Sequence, residues 1–361
     1  MKKKGFLITG VISLSLFLAG CFEGEQSLEE MDPPQDAEAV DRLENISSDE
    51  KSTTEKEVNT EPNEEVTEMV PRELYLIDKN GLVASQTLEL PKLESNEVAT
   101  QVLEHLVKDG PVSSMLPNGF QAVLPAGTEI LGLNLKEDGT MVVDVSEEFK
   151  NYQPEDEVKI LQAMTYTLTQ FDNVNRVQLL INGHEQNVMP VDGTPIGNGY
   201  SRGNGINIEE SNTTDLLSSK PVTMYYPAEH NENRYYVPVT QYIESEENEE
   251  LYTSIVKSLL EGPGYNSNII HVFNSNTVLE ENPKLNDGIL QIKFNEAILM
   301  DDEKSIIADE VMETLVRTLT EQEDIEAVEI KVENVDQLVS ENGESYDEPV
   351  TKQSILPKEK L

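Results

Sequence analysis

Asp138-Gly139-Thr140-Met141-Val142-Val143-Asp144-Val145-Ser146-Glu147-Glu148-Phe149 is the stretch on which the fold turns. The Asp-Gly pair is a turn signal, and Met141, Val143 and Val145 then alternate at the two-residue period of a strand with one buried face. Upstream, Leu131, Leu133 and Leu135 alternate in the same way. The whole therefore reads as a hairpin with those leucines and the three later side chains on one buried face. The pattern recurs 149 residues later, where Asp287-Gly288 precedes Leu290, Ile292 and Phe294, and Glu296 takes the place of Glu147.

Working outward, other segments recur at nearly the same offset. Leu106-Val107 matches Leu259-Leu260 at 153, Gly110-Pro111 matches Gly262-Pro263 at 152, and Thr167-Leu168-Thr169 matches Thr318-Leu319-Thr320 at 151. A period this long marks a duplicated domain, not a solenoid repeat. In the first copy, Glu73–Ile77 and Leu82–Leu90 read as strands, and Ser95-Asn96 as the cap of a helix with Val98, Val102, Leu103 and Leu106 inward. After the hairpin, Pro154 opens a helix with Val158, Leu161, Met164, Leu168 and Phe171 inward, and Val177, Leu179 and Ile181 form a closing strand. The second copy repeats this with Val222–Tyr226, Arg234–Thr240, the helix residues Leu251 to Leu260, the hairpin, Ile307 to Leu319, and Val328 to Val332. The expected class is α+β: two tandem ββαββαβ units, helices packed on a mixed sheet.

Boundaries follow from composition. Residues 1–20 read as a signal peptide, 21–71 as an acidic tether, 72–190 and 221–336 as the two domains, 191–220 as a Gly-rich linker and 337–361 as a polar, frayed tail. The tether has seventeen acids and three bases between 22 and 70, too little apolar surface to offset the entropy of ordering. Fully extended it would reach at most ~160–175 Å.

The first residues carry an address. Met1-Lys2-Lys3-Lys4 precedes an apolar run from Phe6 to Ala19, shorter than the ~20 residues of a spanning helix. Leu18-Ala19-Gly20-Cys21 resembles the bacterial lipobox, which implies cleavage between Gly20 and Cys21 and lipidation of Cys21 as an N-palmitoyl, S-diacylglycerol cysteine. Cys21 is the only cysteine, so a disulfide framework, a thiolate nucleophile and a cysteine metal site are excluded. Loss of residues 1–20, with three lysines and no acid, shifts the net charge from −43 to −46. Such a surface lacks the basic footprint of a nucleic-acid binder and is repelled by anionic headgroups and wall polymers.

Candidate chemistry is sparse. His105, His184, His230 and His271 stand singly, without the spacing of a zinc site; His105 reads as a helix-surface residue and His184 as a turn residue. Gly199-Tyr200-Ser201-Arg202-Gly203 has the letters of a nucleophile elbow but no flanking strand and helix. Asp301-Asp302-Glu303 and Glu246-Glu247-Asn248-Glu249-Glu250 read as acidic helix starts, not calcium loops. Glu147 and Glu296 recur just past a strand and are the only carboxylates with a claim to a shared site. No catalytic, cofactor-binding or metal residue is therefore expected.

The helix ending ahead of Gly110-Pro111 (Leu259-x-x-Gly-Pro in the second copy), Pro125-Ala126-Gly127-Thr128, the 138–149 hairpin and Thr167-Leu168-Thr169 resemble the GerMN domain family of sporulation and germination lipoproteins. The second copy departs from the pattern, with Asn274-Ser275-Asn276-Thr277 for Pro-x-Gly-Thr and Ala297 for the second Glu. The resemblance implies a fold similar to the ring-building motif of secretion systems. It implies a lipid-anchored scaffold on the extracytoplasmic membrane face, between mother cell and forespore, with partners in the SpoIIIA–SpoIIQ channel complex and possible self-assembly. A cell-wall-modifying or solute-binding lipoprotein is the alternative.

Overall fold

The computed structural model describes residues 68–93, 95–208, 219–244, 248–264 and 269–355, all within the compact unit Glu64–Leu361. Cys21, Gly20, the signal segment and the 22–67 stretch lie outside the described residues. In the first copy, β1 (Met69–Ile77) and β2 (Val83–Pro91) form an antiparallel ribbon with Met69 opposite Pro91 and Ile77 opposite Val83. Helix α1 (Ser95–Glu104) follows; the side chains of its expected cap, Ser95 and Asn96, are not among those described. Then come β3 (Ile130–Leu135), β4 (Thr140–Val145), α2 (Glu157–Leu168), β5 (Arg176–Ile181), β6 (His184–Gln186) and β7 (Tyr200–Ser201).

The second copy repeats the order. It has β8 (Ser219–His230), β9 (Asn233–Glu244), α3 (Asn248–Glu261), β10 (Lys284–Asn286), β11 (Ile289–Phe294), α4 (Asp309–Leu319), β12 (Ala327–Val332), β13 (Val350–Thr351) and the single turn α5 (Lys352–Ile355). Each copy is thus α+β, but the expected mixed sheet divides in two. The ribbons β1–β2 and β8–β9 stand apart from the mixed sheets β3–β4–β5–β6 and β10–β11–β12–β13. In each mixed sheet the central pair is parallel, β4 with β5 and β11 with β12, and its neighbours are antiparallel. The intervening helices α2 and α4 make the crossovers that parallel pairing demands.

The β3–β4 hairpin does not bury all of the expected face. Leu131 is 48 % exposed and Leu135 37 %, whereas Met141, Val143 and Val145 are buried. A register shift between Ile130 and Gly132 turns β3 so that Ile130 and Leu133, not all three leucines, pack on the core. Val158 is likewise exposed at the start of α2, and Phe171 lies beyond its end, half-buried.

The segments expected as linker and tail depart further from expectation. Residues 191–204 do not join the copies as a loose excursion, and 337–355 do not fray. Tyr200-Ser201 pairs with Val177-Arg176, and Val350-Thr351 pairs with Val328-Ala327, the same rungs 150 or 151 residues apart. Before each strand the chain makes the same loop: Met189 N–H donates to Thr194 O and Ser340 N–H to Glu344 O, both at 2.8 Å. Gly193 and Gly343 serve these loops with φ of +79° and +81°. The duplicated unit therefore runs on into the supposed linker and the supposed tail, of which 209–218 and 356–361 lie outside the described residues, and its last strand in each copy is followed by a cation, Arg202 or Lys352.

The buried side chains form one continuous cluster that passes from the first copy into the second. Glu157, fully buried at the head of α2, explains the order of the 191–194 loop: it accepts the N–H groups of Val191, Asp192 and Thr194 at 2.7–3.0 Å and the Tyr152 hydroxyl at 2.8 Å.

Candidate functional site

The polar groups of the molecule converge where the two ribbons meet. In the first copy the N–H of Tyr75, on β1, donates to Thr167 Oγ1 on α2 at 3.0 Å; in the second, the N–H of Tyr225, on β8, donates to Thr318 Oγ1 on α4 at 2.9 Å. The threonines that recur in sequence thus pin each ribbon to the helix behind it. Their neighbours Thr169 and Thr320 each bond back to the helix, to Thr165 O and Val316 O. Tyr75 and Tyr225 are fully buried, and their hydroxyls meet at 3.4 Å. Equivalent residues from the two copies touch each other, so the copies face one another about an approximate two-fold axis, as in an isologous dimer.

Around that contact these two cations close in. Arg202 pairs with Glu321, donates through Nε to Thr169 Oγ1 at 2.7 Å, and lies over the Tyr166 ring at 4.5 Å from its centroid. Lys352 reaches Glu321 at 3.5 Å and lies over Tyr225. Tyr225 donates its hydroxyl to Glu321 at 3.3 Å. Glu321 follows Thr320 as Gln170 follows Thr169. The carboxylate is therefore present in the second copy alone and serves cations from both. Burial works to raise the Glu321 carboxyl, but Arg202 and Lys352 hold it below the ordinary carboxylate range. Burial drives the Tyr225 and Tyr75 phenols well up, and pushes Tyr166 to about 12.

Further polar ties cross the same seam. Tyr166, Thr223 and Thr240 form a hydrogen-bonded row, with the Ile206 N–H ending on Thr240 Oγ1. Tyr235 donates to the buried Asp78 carboxylate at 3.0 Å while its ring meets Phe120 edge-on. Asn207 bonds to both the N–H and the C=O of Val83 and also to Pro238 O. Every one of these groups is spent on holding the copies together.

The residues singled out in the sequence lie elsewhere. Glu147 and Glu296 each open a 3-10 turn after β4 and β11 and accept the side-chain amide of their own copy's Asn182 or Asn334; nothing brings the two carboxylates together. Ser201 closes a capping box with Asn204, an N-terminal cap for one short turn. His105 corrects its expected surface place: it lies just past α1, 8 % exposed, with Nδ1 2.7 Å from Gln101 O. His184 is exposed on β6, His230 meets Lys79 Nζ at 3.0 Å, and His271 contacts Leu260 O. Asp301-Asp302-Glu303 does not head a helix, since α4 starts at Asp309; Asp301 pairs with Lys304 in a turn. Of the other acidic run, Glu249 and Glu250 lie in the first turn of α3, and 246–247 lie outside the described residues. Among the described residues no group of three His, Cys, Asp or Glu is placed to hold a metal, and no helix is long and apolar enough to cross a membrane.

This duplicated architecture matches a known one. The Germane family model, described as sporulation and spore germination, fits residues 73–187 and again 223–337. The chain belongs to the Germane family. Spore germination protein GerM of Bacillus subtilis is 44 % identical over 98 % of this chain and 98 % of its own length. The solved tandem GerMN domains of the sporulation protein GerM from Bacillus subtilis superpose with a TM-score of 0.72 at 48 % identity, covering 79 % of this chain and 98 % of that one. The Germane matches stop at 187 and 337, short of Arg202 and Lys352. The cations that lock the copies therefore lie beyond the segments by which the family is recognised. The signal that could have found them was the offset itself, since Gly193, Ser201 and Arg202 align with Gly343, Thr351 and Lys352 at 150.

Proposed function

We propose that this Germane protein is a non-enzymatic, lipid-anchored scaffold of sporulation and germination that works by binding protein partners. The observation that carries this reading is the junction. Its ionisable groups pair with one another across the copies, Arg202 and Lys352 on Glu321, and so make the two units one contact surface of fixed shape. A catalytic site keeps a poised group open to substrate; here the buried tyrosines, the carboxylate and the cations are held by each other. The rival readings, a cell-wall-modifying enzyme or a solute-binding lipoprotein, draw no support from Ser201, Glu147 or Glu296, each tied into its own turn.

The anchor expected at Cys21 and the sporulation family support a setting for this scaffold. Cys21, lipidated, would hold the chain on the extracytoplasmic face of the cell membrane, and the acidic stretch after it would let the folded unit work away from the bilayer. The space between mother cell and forespore is the compartment that fits, and the SpoIIIA–SpoIIQ proteins are the partners. In-cell crosslinking of the full chain during sporulation, read by mass spectrometry, tests this. Crosslinks to SpoIIIA or SpoIIQ proteins are expected, together with mislocalisation of Cys21→Ala. Crosslinks only to unrelated wall enzymes, or normal placement of Cys21→Ala, would overturn it.

A further inference from the structure

The two copies are built alike, and a difference between them shows what one is missing. Ala99 on α1 and Tyr252 on α3 stand 153 residues apart, the offset that also relates Leu106 to Leu259. Tyr252 is 5 % exposed, its ring packed into the second copy. Burial, and after it the Asp324 carboxylate, raise its phenol. In the first copy the residue matching Asp324 is Asn173, and Asn173 and Ala99 both line an open groove of about 630 Å³ between α1 and β3. That volume lies within the ordinary range of ligand pockets. Its other walls include Leu93, Leu133, Leu135, Met141 and Val174. Phe171, where the second copy has Gln322, forms the far wall but stays half-buried and does not close the groove.

The groove also holds a cation with one unpaired buried donor. Arg72, on β1, lines it where the second copy has the buried Val222. Its Nε is buried without a hydrogen-bond partner, and among the described residues Arg72 makes no ion pair. A buried donor left unpaired is destabilising until a partner satisfies it.

We propose that this groove receives an aromatic side chain of a partner protein, presented next to a carboxylate that pairs with Arg72. The ring would sit in the first copy as Tyr252 sits in the second, and the carboxylate would satisfy the guanidinium. Buried aromatic anchors carry much of the energy of protein interfaces. The rest of the docking segment is neutral or basic, because a chain of net charge −43 repels further carboxylates. The proposal rests on the partner-binding reading above and adds the place and the chemistry of the contact.

The test uses the full-length chain, methyl-labelled, and two probes, N-acetyl-Asp-Tyr-amide and N-acetyl-Asn-Tyr-amide, followed by NMR. Saturable shifts confined to the Ala99, Leu135, Met141 and Val174 methyls are expected at concentrations on the order of millimolar. Arg72→Leu should weaken the Asp probe about tenfold, to the level of the Asn probe, and leave the latter unchanged. Ala99→Tyr should fill the groove and abolish both; Ala99→Leu serves if that variant does not fold, as judged by its thermal melt. Absence of groove shifts up to the solubility limit overturns the proposal, as do shifts that survive both filled grooves. Concentration-dependent groove shifts without a probe would assign the surface to a second copy of this chain and also overturn it. Probe binding without any crosslinked partner in cells would sink the scaffold reading and leave the groove standing; the reverse result would sink only the groove.

Discussion

Tyr75 and Tyr225, 150 residues apart, touch hydroxyl to hydroxyl at 3.4 Å, and the backbone N–H of each is held by a threonine of the helix behind it. The contact joins identical positions of a duplicated unit. It converts two small domains, each with a ribbon that would otherwise be open to water, into one body with a continuous core. Glu321 then breaks the symmetry by serving Arg202 of one copy and Lys352 of the other.

Removing one member of that cluster should be costly and removing two should be less so. Arg202→Met leaves Glu321 to Lys352 alone and should lower stability by about 3 kcal/mol, the low end for a buried pair because part of each group still meets water. Adding Glu321→Gln, the residue that Gln170 is in the first copy, should recover a good part of the loss. Urea unfolding of the four members of the cycle measures the coupling. Equal, additive losses would remove the cross-copy pair from the account.

The matched threonines offer a paired test. Thr167→Val and Thr318→Val keep the side-chain shape and delete the oxygen that accepts a buried N–H from Tyr75 or Tyr225. Each should cost about 1–3 kcal/mol, and the two values should agree closely. Thermal denaturation of both variants checks this; a cost for one and none for the other would contradict the structural equivalence of the two anchors.

Acid should loosen the molecule through its buried carboxylates. The folded pKa values of Glu321 and Glu157 are depressed: in both, burial pulls upward, but Arg202 and Lys352 in the first case, and the Asp192 and Thr194 N–H groups in the second, outweigh it. A depressed carboxyl contributes stability above its unfolded pKa of about 4.3, and that contribution disappears as the pH falls through the folded value. The melting temperature should therefore decline below about pH 4.3, less steeply in Glu321→Gln. At the alkaline end the sign reverses. Tyr166, raised to about 12, stabilises the fold fully below the unfolded tyrosine pKa of about 10 and loses that contribution as the pH rises towards its folded value. Circular dichroism melts across both ranges read the two limbs.

Ser201 is a cap and not a nucleophile. Ser201→Ala should cost about 1 kcal/mol through the lost capping bond to the 202–204 turn and leave sporulation efficiency unchanged. Glu147→Gln and Glu296→Gln should likewise leave it unchanged, since an amide can still reach Asn182 or Asn334. Loss of sporulation in a stable Ser201→Ala protein would reopen the enzymatic reading.

Much of the fold was legible because it depends on local periodicity. Alternation over Met141–Val145 and Leu290–Phe294, the helix ends at Gly110 and Gly262, and the offset between them all reflect which face of one element is buried. Gly193 to Asn204 read as a linker because Gly, Asn and Ser carry no periodic signal, yet Glu157, distant in sequence, supplies the hydrogen bonds that order the loop there. Leu131 and Leu135 read as buried because alternation cannot register a bulge at Ile130–Gly132.

The sequence by itself determined that this chain is a duplicated α+β unit, because repetition and hydrophobic period need no knowledge of neighbours. Only the tertiary structure decided that the copies meet Tyr75 to Tyr225, that the apparent linker and tail supply the cations of one shared carboxylate, and that Ala99 leaves open what Tyr252 fills. Those facts depend on which side chains converge from segments up to 150 residues apart, and pairing energy between distant groups leaves no periodic trace along the chain.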